Sequence, residues 1–316
     1  MASRCALIAS MTVLAGCAAT PSLRNRTTAG HCDPPLSYRY NATFAPKVDP
    51  DASLTPELLA RYPRRNLLTA NAIGLLPSLQ ALALLPLPND GEVDVATELK
   101  ALKQRQVVLT QVMLASSTVS SLAAELDCEG ERADQMASHL ADLDNTRTQR
   151  LNVLSIAIGA FSGIGTTLSD NRQTQHLLGV GGGLLGAGLG LFTLNQDGHK
   201  EDFQHARNLL TDVWFEHANS TIWPASVWHM LTSPAFSNEG RTSIAHNARA
   251  RWQRDSQFEN LDSEEGRRLT ALLFGTGGSY SAAELKLRAD MLNELQSSVR
   301  LLNQEIQGLL LALIEE

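Results

Sequence analysis

Aromatic side chains are scarce in this chain: Phe, Tyr and Trp together make up 5% of 316 residues. Sheets draw their packing from aromatic and β-branched residues, so this scarcity, beside abundant Leu, Ala and Ser, excludes a β-rich class and points to helices. Positive charge is in deficit as well. With 26 Lys and Arg against 33 Asp and Glu, a net charge of −7 and no basic stripe, nucleic acid is excluded as a partner. Neither a Gly-x-Ser-x-Gly elbow nor a His-Glu-x-x-His pair occurs. Gly181-Gly182-Gly183-Leu-Leu-Gly186 matches the dinucleotide fingerprint in letters, but it follows no strand pattern and lies inside a longer glycine repeat. Gly275-Thr-Gly-Gly-Ser has no phosphate-loop lysine and suits a helix stop. His199, Glu201, Asp202 and His205 are close enough in sequence for metal ligation from one helical patch. Two histidines six apart do not share a helix face, so solvated polar residues are the expectation. No catalytic residue, metal site or cofactor is assigned.

What the chain has in abundance is an uncharged, glycine-spaced stretch. Leu151 to Leu168 and His176 to Leu194 contain no Asp, Glu, Lys or Arg and are joined by a polar link holding Asp170 and Arg172. Each run makes a helix of roughly 27 Å, close to the ~30 Å hydrocarbon layer of a bilayer. Gly159 and Gly163 in the first arm, Gly179 and Gly183, and Gly182, Gly186 and Gly190 in the second recur every fourth residue. That spacing puts small residues on one face, where a neighbouring backbone gains contact that lipid cannot supply. A membrane-inserting hairpin is the expectation; the alternative is a packed hairpin inside a soluble helical core.

The flanks read as long helices. Thr55-Pro56-Glu57 opens a helix with cap, first-turn proline and acid in the expected order. Asn66 to Leu87 reads as a broken, buried helical pair interrupted at Pro77, ended by Pro86, Pro88, Asn89 and Gly91. From Glu92, Val95, Leu99, Leu102, Leu109, Met113 and Ser116 keep a four-three spacing with Gln106 as a polar member, which predicts the seam of a coiled coil. The pattern weakens near Gly130, where a kink or short break is expected, and resumes at Met136, Leu140 and Leu143. Unbroken to Arg150, this makes a rod of roughly 85–90 Å. Asn195 to Ala218 reads as mixed helical, and Trp214, Trp223, Trp228 and Trp252 as filling a small helical core. Helices are expected over roughly Thr242 to Phe258 and Ser263 to Phe274. Ser281-Ala-Ala-Glu284 is a capping box that starts the last helix. Along it Leu292, Leu295, Val299, Leu302, Ile306, Leu309 and Leu313 form a heptad run, whose partner is either the Val95 to Leu122 segment or a second copy.

At the N-terminus, Arg4 precedes a short apolar run ending in small residues, the layout of an export signal. Leu14-Ala15-Gly16-Cys17 resembles the lipobox of bacterial lipoproteins. The resemblance implies cleavage before Cys17, its acylation by membrane lipid and, with Ala18 following where the class carries Asp for inner-membrane retention, an outer-membrane anchor facing the periplasm. If Cys17 carries lipid, Cys32 and Cys128 remain as an even pair in an oxidising compartment, giving either a Cys32–Cys128 disulfide or two free thiols. Gly182, Gly186 and Gly190 also resemble the glycine-zipper segment of some small envelope lipoproteins.

The expected fold is all-α, with long coiled-coil-like helices, a glycine-rich apolar hairpin and an extended tether. The divisions are signal 1–16, tether 17–53, small helical cap 54–90, long helix 91–150, hairpin 151–194, Trp-containing region 195–280 and heptad helix 281–316. The expected role is a non-enzymatic envelope scaffold, homo-oligomeric or bound to other envelope proteins. A pore or export conduit, a tethered periplasmic domain with a soluble core, and a periplasmic enzyme are the other readings.

Overall fold

Thr55 accepts a hydrogen bond from the Leu58 N–H at 3.4 Å and Pro56 needs no partner in the first turn, so α1, Pro56–Arg61, starts where the chain supplies both devices. In this computed structural model the described residues are 32, 45–47, 49, 51–85, 94–168, 198–254, 258 and 260–314, with side chains of the long central helix described as far as residue 157. Cys17, the second glycine arm with Gly179, Gly182, Gly183, Gly186 and Gly190, and most of the tether lie outside the described residues.

Helices α2, Arg64–Ala72, and α3, Leu76–Ala83, form the buried pair, but the break falls at Gly74, whose φ of 71° is left-handed. Pro77 sits in the first turn of α3, where a missing N–H is no loss.

Helix α4, Val95–Leu168, runs for 74 residues, about 110 Å at the usual rise. The helix runs through Gly130 without a break. Instead Gly130 lies where the last helix, α9, Ala282–Ile314, comes close: a Cβ at that glycine would stand 2.8 Å from Asn293 Oδ1. The two helices run antiparallel, since Ser116 meets Asn303 at 3.0 Å, Asp127 meets Gln296, and Asp134 meets Lys286 at 2.8 Å. The partner of the α9 heptads is therefore within the chain. Leu292, Leu295, Val299, Leu302, Ile306 and Leu309 are buried against α4 and Leu313 is partly buried.

The seam on α4 differs from the one expected. Val108, Val112, Ala115, Val119, Leu122, Leu126, Ala133, Met136 and Leu140 are buried, whereas Val95, Leu99, Leu102, Leu109 and Met113 are exposed and Ser116 is half-buried. The helix is turned by one residue, about 100°, from the expected face. Both stripes keep a four-three spacing, but the one from Val95 runs out into Ser116, Ser120 and Asp127, while the one from Val108 stays apolar or small as far as Leu140 except at Glu129, which pairs with Arg132. Continuous packing along α9 selects the longer stripe.

The cap sits across one end of this pair. Arg65 grips Glu305 with two hydrogen bonds at 2.8 and 2.5 Å, Gln111 Nε2 donates to the Ile73 carbonyl at 2.8 Å, and Gln104 to that of Ser78 at 3.3 Å. Cys32 and Cys128 are bonded across 96 residues of sequence, tying the N-terminal arm to the middle of α4.

At the other end a ribbon replaces part of the mixed helical region. Strand β1, Lys200–Gln204, pairs antiparallel with β2, Gly277–Ser281, in the register Lys200 to Ser281 and Gln204 to Gly277. Gly277 has φ +102°, and a Cβ there would lie 2.2 Å from the Phe203 carbonyl oxygen, so only glycine fits. Between the strands come α5, Leu210–Phe215, α6, Ala225–Thr232, α7, Ile244–Trp252, and α8, Glu264–Phe274. Trp214, Trp223, Trp228 and Trp252 are all buried, Trp214 stacked on Phe274 with centroids 4.2 Å apart. The ribbon joins α9 directly: Ser281 N–H donates to Glu284 Oε2 at 2.7 Å and Glu284 N–H to Ser281 Oγ at 3.4 Å, the reciprocal cap expected from the sequence.

Candidate functional site

Helix α4 leaves the folded body at Asp144. There the backbone N–H and the ring Nδ1 of His199 meet Asp144 Oδ1 at 2.9 and 2.6 Å, and Gly198 comes so near that a Cβ would lie 2.8 Å from Asp144 Oδ2. Burial alone would raise the Asp144 pKa; the hydrogen bonds and charge from His199 outweigh it and hold the carboxyl below its ordinary range. From Asn145 to Arg150 every side chain is exposed, and beyond it Val153, Leu154 and Ile156 are 66, 48 and 71% exposed. The helical backbone continues past Gly159 and Gly163 to Leu168, so the first apolar arm is an extension of the long helix. By length and composition one helix among the described residues, Val95–Ala157, is apolar enough to cross a membrane, but the qualifying stretch lies in its packed part, since any eighteen residues of it that reach Val153 carry Asp142, Asp144, Arg147 and Arg150. Among the described residues nothing covers Val153, Leu154 or Ile156.

The four residues singled out for metal ligation do not converge. His199 turns to Asp144, Glu201 and Asp202 are exposed on β1, and His205 points into the core. Among the described residues there is no group of three His, Cys, Asp or Glu arranged to hold a metal.

His205 belongs to a buried polar cluster that sequence reading missed. Tyr280 Oη donates to the Leu272 carbonyl at 2.6 Å, so the His205 Nε2, 2.9 Å from Oη, must carry the proton and donate to it. Burial, with the nearby Arg288 charge, pushes the His205 pKa down to about 2; burial pushes that of Tyr280 up to about 12. Arg288 is fully buried on α9 and donates to Asn208 Oδ1 at 3.2 Å and the Leu273 carbonyl at 2.9 Å. Arg132 on α4 pairs with Glu129 at 2.8 Å, donates to the Gln204 carbonyl at 2.9 Å and lies 3.8 Å over the Phe203 ring. These bonds fasten ribbon, α8, α9 and α4 together. The signal was in the sequence: Arg288 falls between Leu285 and Leu292 on the apolar face of the heptads, and Glu129 and Arg132 on that of α4.

Other acid–base pairs are internally saturated. Asp212 takes His217 at 2.7 Å on one oxygen and the Ser220 hydroxyl on the other, so this serine donates to the acid and not to the histidine. Ser220 Oγ also accepts from the Trp223 N–H at 2.8 Å, the bonding of a turn. Glu216 holds His246 at 2.6 Å and Arg249. A cleft of about 540 Å³ opens beside Trp214, Phe215 and Phe274, with Arg249 and Arg267 on its wall and no carboxylate or histidine among its lining residues. No family model, curated protein or solved structure matches this chain.

Proposed function

We propose that this protein is a non-enzymatic, lipid-anchored scaffold of the bacterial cell envelope, held at the outer membrane on its periplasmic side by Cys17 and by the apolar end of α4. The observation that carries the reading is the exposed apolar continuation of α4 beyond Asp144, through Val153, Leu154 and Ile156. From Leu151 to Leu168 the helix is about 27 Å long, near the hydrocarbon thickness, and Arg147 and Arg150 precede it where their charges can rest among headgroups.

The disulfide supports both anchors entering one membrane. Cys17 lies fifteen positions before Cys32, which is bonded to Cys128. Extended, they reach about 50 Å, whereas Cys128 to Arg150 along the helix is only about 33 Å. The lipid at Cys17 is thus able to reach the bilayer that the helix end enters.

The test replaces the lipoprotein signal with an ordinary secretory one and washes membranes with alkaline carbonate. Retention of the unlipidated chain, lost on a Val153→Asp and Ile156→Asp double change, is the expected result. Release of the unlipidated wild-type chain into the supernatant overturns the second anchor and leaves a tethered periplasmic domain.

A further inference from the structure

Helix α4 begins with a stripe left exposed by the rest of the described chain. Val95, Leu99, Leu102, Leu109 and Met113 are 80, 50, 61, 44 and 71% exposed, and Gln106, also exposed, completes the four-three spacing. A strict repeat of this kind is a seam for another helix, and α9 and the cap are engaged on the neighbouring face through Val108, Gln111 and Val112. We propose that the stripe is one strand of a parallel, in-register coiled coil with α4 of a second copy of this chain, an inference that goes beyond the scaffold reading above.

Charge selects the occupant and its direction. Glu98 and Lys103 flank the seam on opposite sides, five residues apart, the offset at which parallel in-register helices bring a residue on one side to its complement on the other. Two-fold symmetry makes each such pair twice. The antiparallel pairing that keeps the stripe in full overlap, Val95 against Met113, instead sets Lys103 against its own copy and Arg105 against its own copy, which repels. Gln106 adds register. In the parallel arrangement it faces Gln106 of the second copy and the two amides satisfy one another; any shift buries it against leucine or methionine, at the expense of its hydrogen bonds. Parallel pairing also points both apolar helix ends the same way, as two chains anchored in one membrane require.

The experiment uses the full chain in detergent. Under mild copper oxidation, Gln106→Cys is expected to form covalent dimer about ten times faster than Lys100→Cys on the outer face, because facing seam positions are the ones brought within bonding distance. Glu98→Lys alone and Lys103→Glu alone are each expected to weaken self-association, and an equal mixture of the two to restore it as a heterodimer. Cross-linking of Val95→Cys chains to Met113→Cys chains in place of the Gln106→Cys product overturns the proposal. So does a monomeric mass for the wild-type chain. A carbonate wash of the same samples keeps the two readings apart: a dimer that washes off sinks only the membrane anchor, and a monomer that stays sinks only the coiled coil.

Discussion

Between Val108 and Leu140 helix α4 buries one apolar stripe against α9 and the cap, whereas Asn145 to Arg150 of the same helix are exposed and Val153, Leu154 and Ile156 beyond them are uncovered. Backbone and apolar content differ little between the two regions; what differs is whether the described residues supply a partner. The packed region carries a long apolar stripe matched by the α9 heptads, and charges on its inward face, Glu129 and Arg132, that the ribbon end satisfies. Among the described residues the projecting region has neither. Amphipathic periodicity thus marks where a helix can bury itself, and only tertiary pairing decides whether that happens within the molecule.

The strongest way to break the contrast is to cut the staple in the packed region. Cys128→Ser, or reduction of the native chain, is expected to lower unfolding free energy by about 4.7 kcal/mol, as the chain-entropy model gives for a loop of this size, read from denaturant curves with and without reductant. Next, Leu126→Ala is expected to cost about 3 kcal/mol by thermal or denaturant melting, while Ile156→Ala changes stability by less than about 0.5 kcal/mol. Equal losses at the two sites would erase the distinction.

A pH series sharpens it further. His205 is neutral in the fold with a pKa near 2, and its unfolded value is near 6.5, so between these values the unfolded chain binds the extra proton. Stability is then expected to fall by about 1.4 kcal/mol for each pH unit below 6.5, and His205→Phe to flatten that slope. The smallest effect belongs to the α9 cap. Burial opposes ionisation of Glu284, but bonds from Ser281 and Arg268 outweigh it and hold its pKa below the usual range. Its contribution is therefore full above pH ~4.5 and lost as pH falls through the depressed folded value, and Glu284→Gln is expected to remove about 1 kcal/mol at neutral pH.

What could be read in advance was local. Thr55-Pro56 and Ser281 with Glu284 announce helix starts because their partners lie within three residues, and the Leu292 to Leu309 spacing is complete within one helix. Counting cysteines offered the Cys32–Cys128 bond as one of two readings, beside two free thiols. The choice between two stripes on α4 was not legible, because both are written at coiled-coil spacing and only the length of α9 arbitrates. The ribbon was invisible for a different reason. Lys200–Gln204 and Gly277–Ser281 hold one large inward side chain each, Phe203 and Tyr280, too few for a period of two. The buried cluster of Arg132, His205, Tyr280 and Arg288 depends on bringing together residues from distant parts of the chain, though arginines on apolar helix faces were a sign of it.

The disulfide also fixes how the molecule carries tension. A pull on residues before Cys32 passes straight into Cys128, bypassing the cap helices between Pro56 and Ala83, which remain slack on a closed covalent loop. It enters α4 midway along its contact with α9, between the Asn303 end and the Lys286 end. A force directed along the rod from that point shears the whole α4 and α9 seam at once instead of peeling it open turn by turn. A tether fastened in this way behaves as a strap riveted to the middle of a beam, and the cap keeps its shape while the strap is taut.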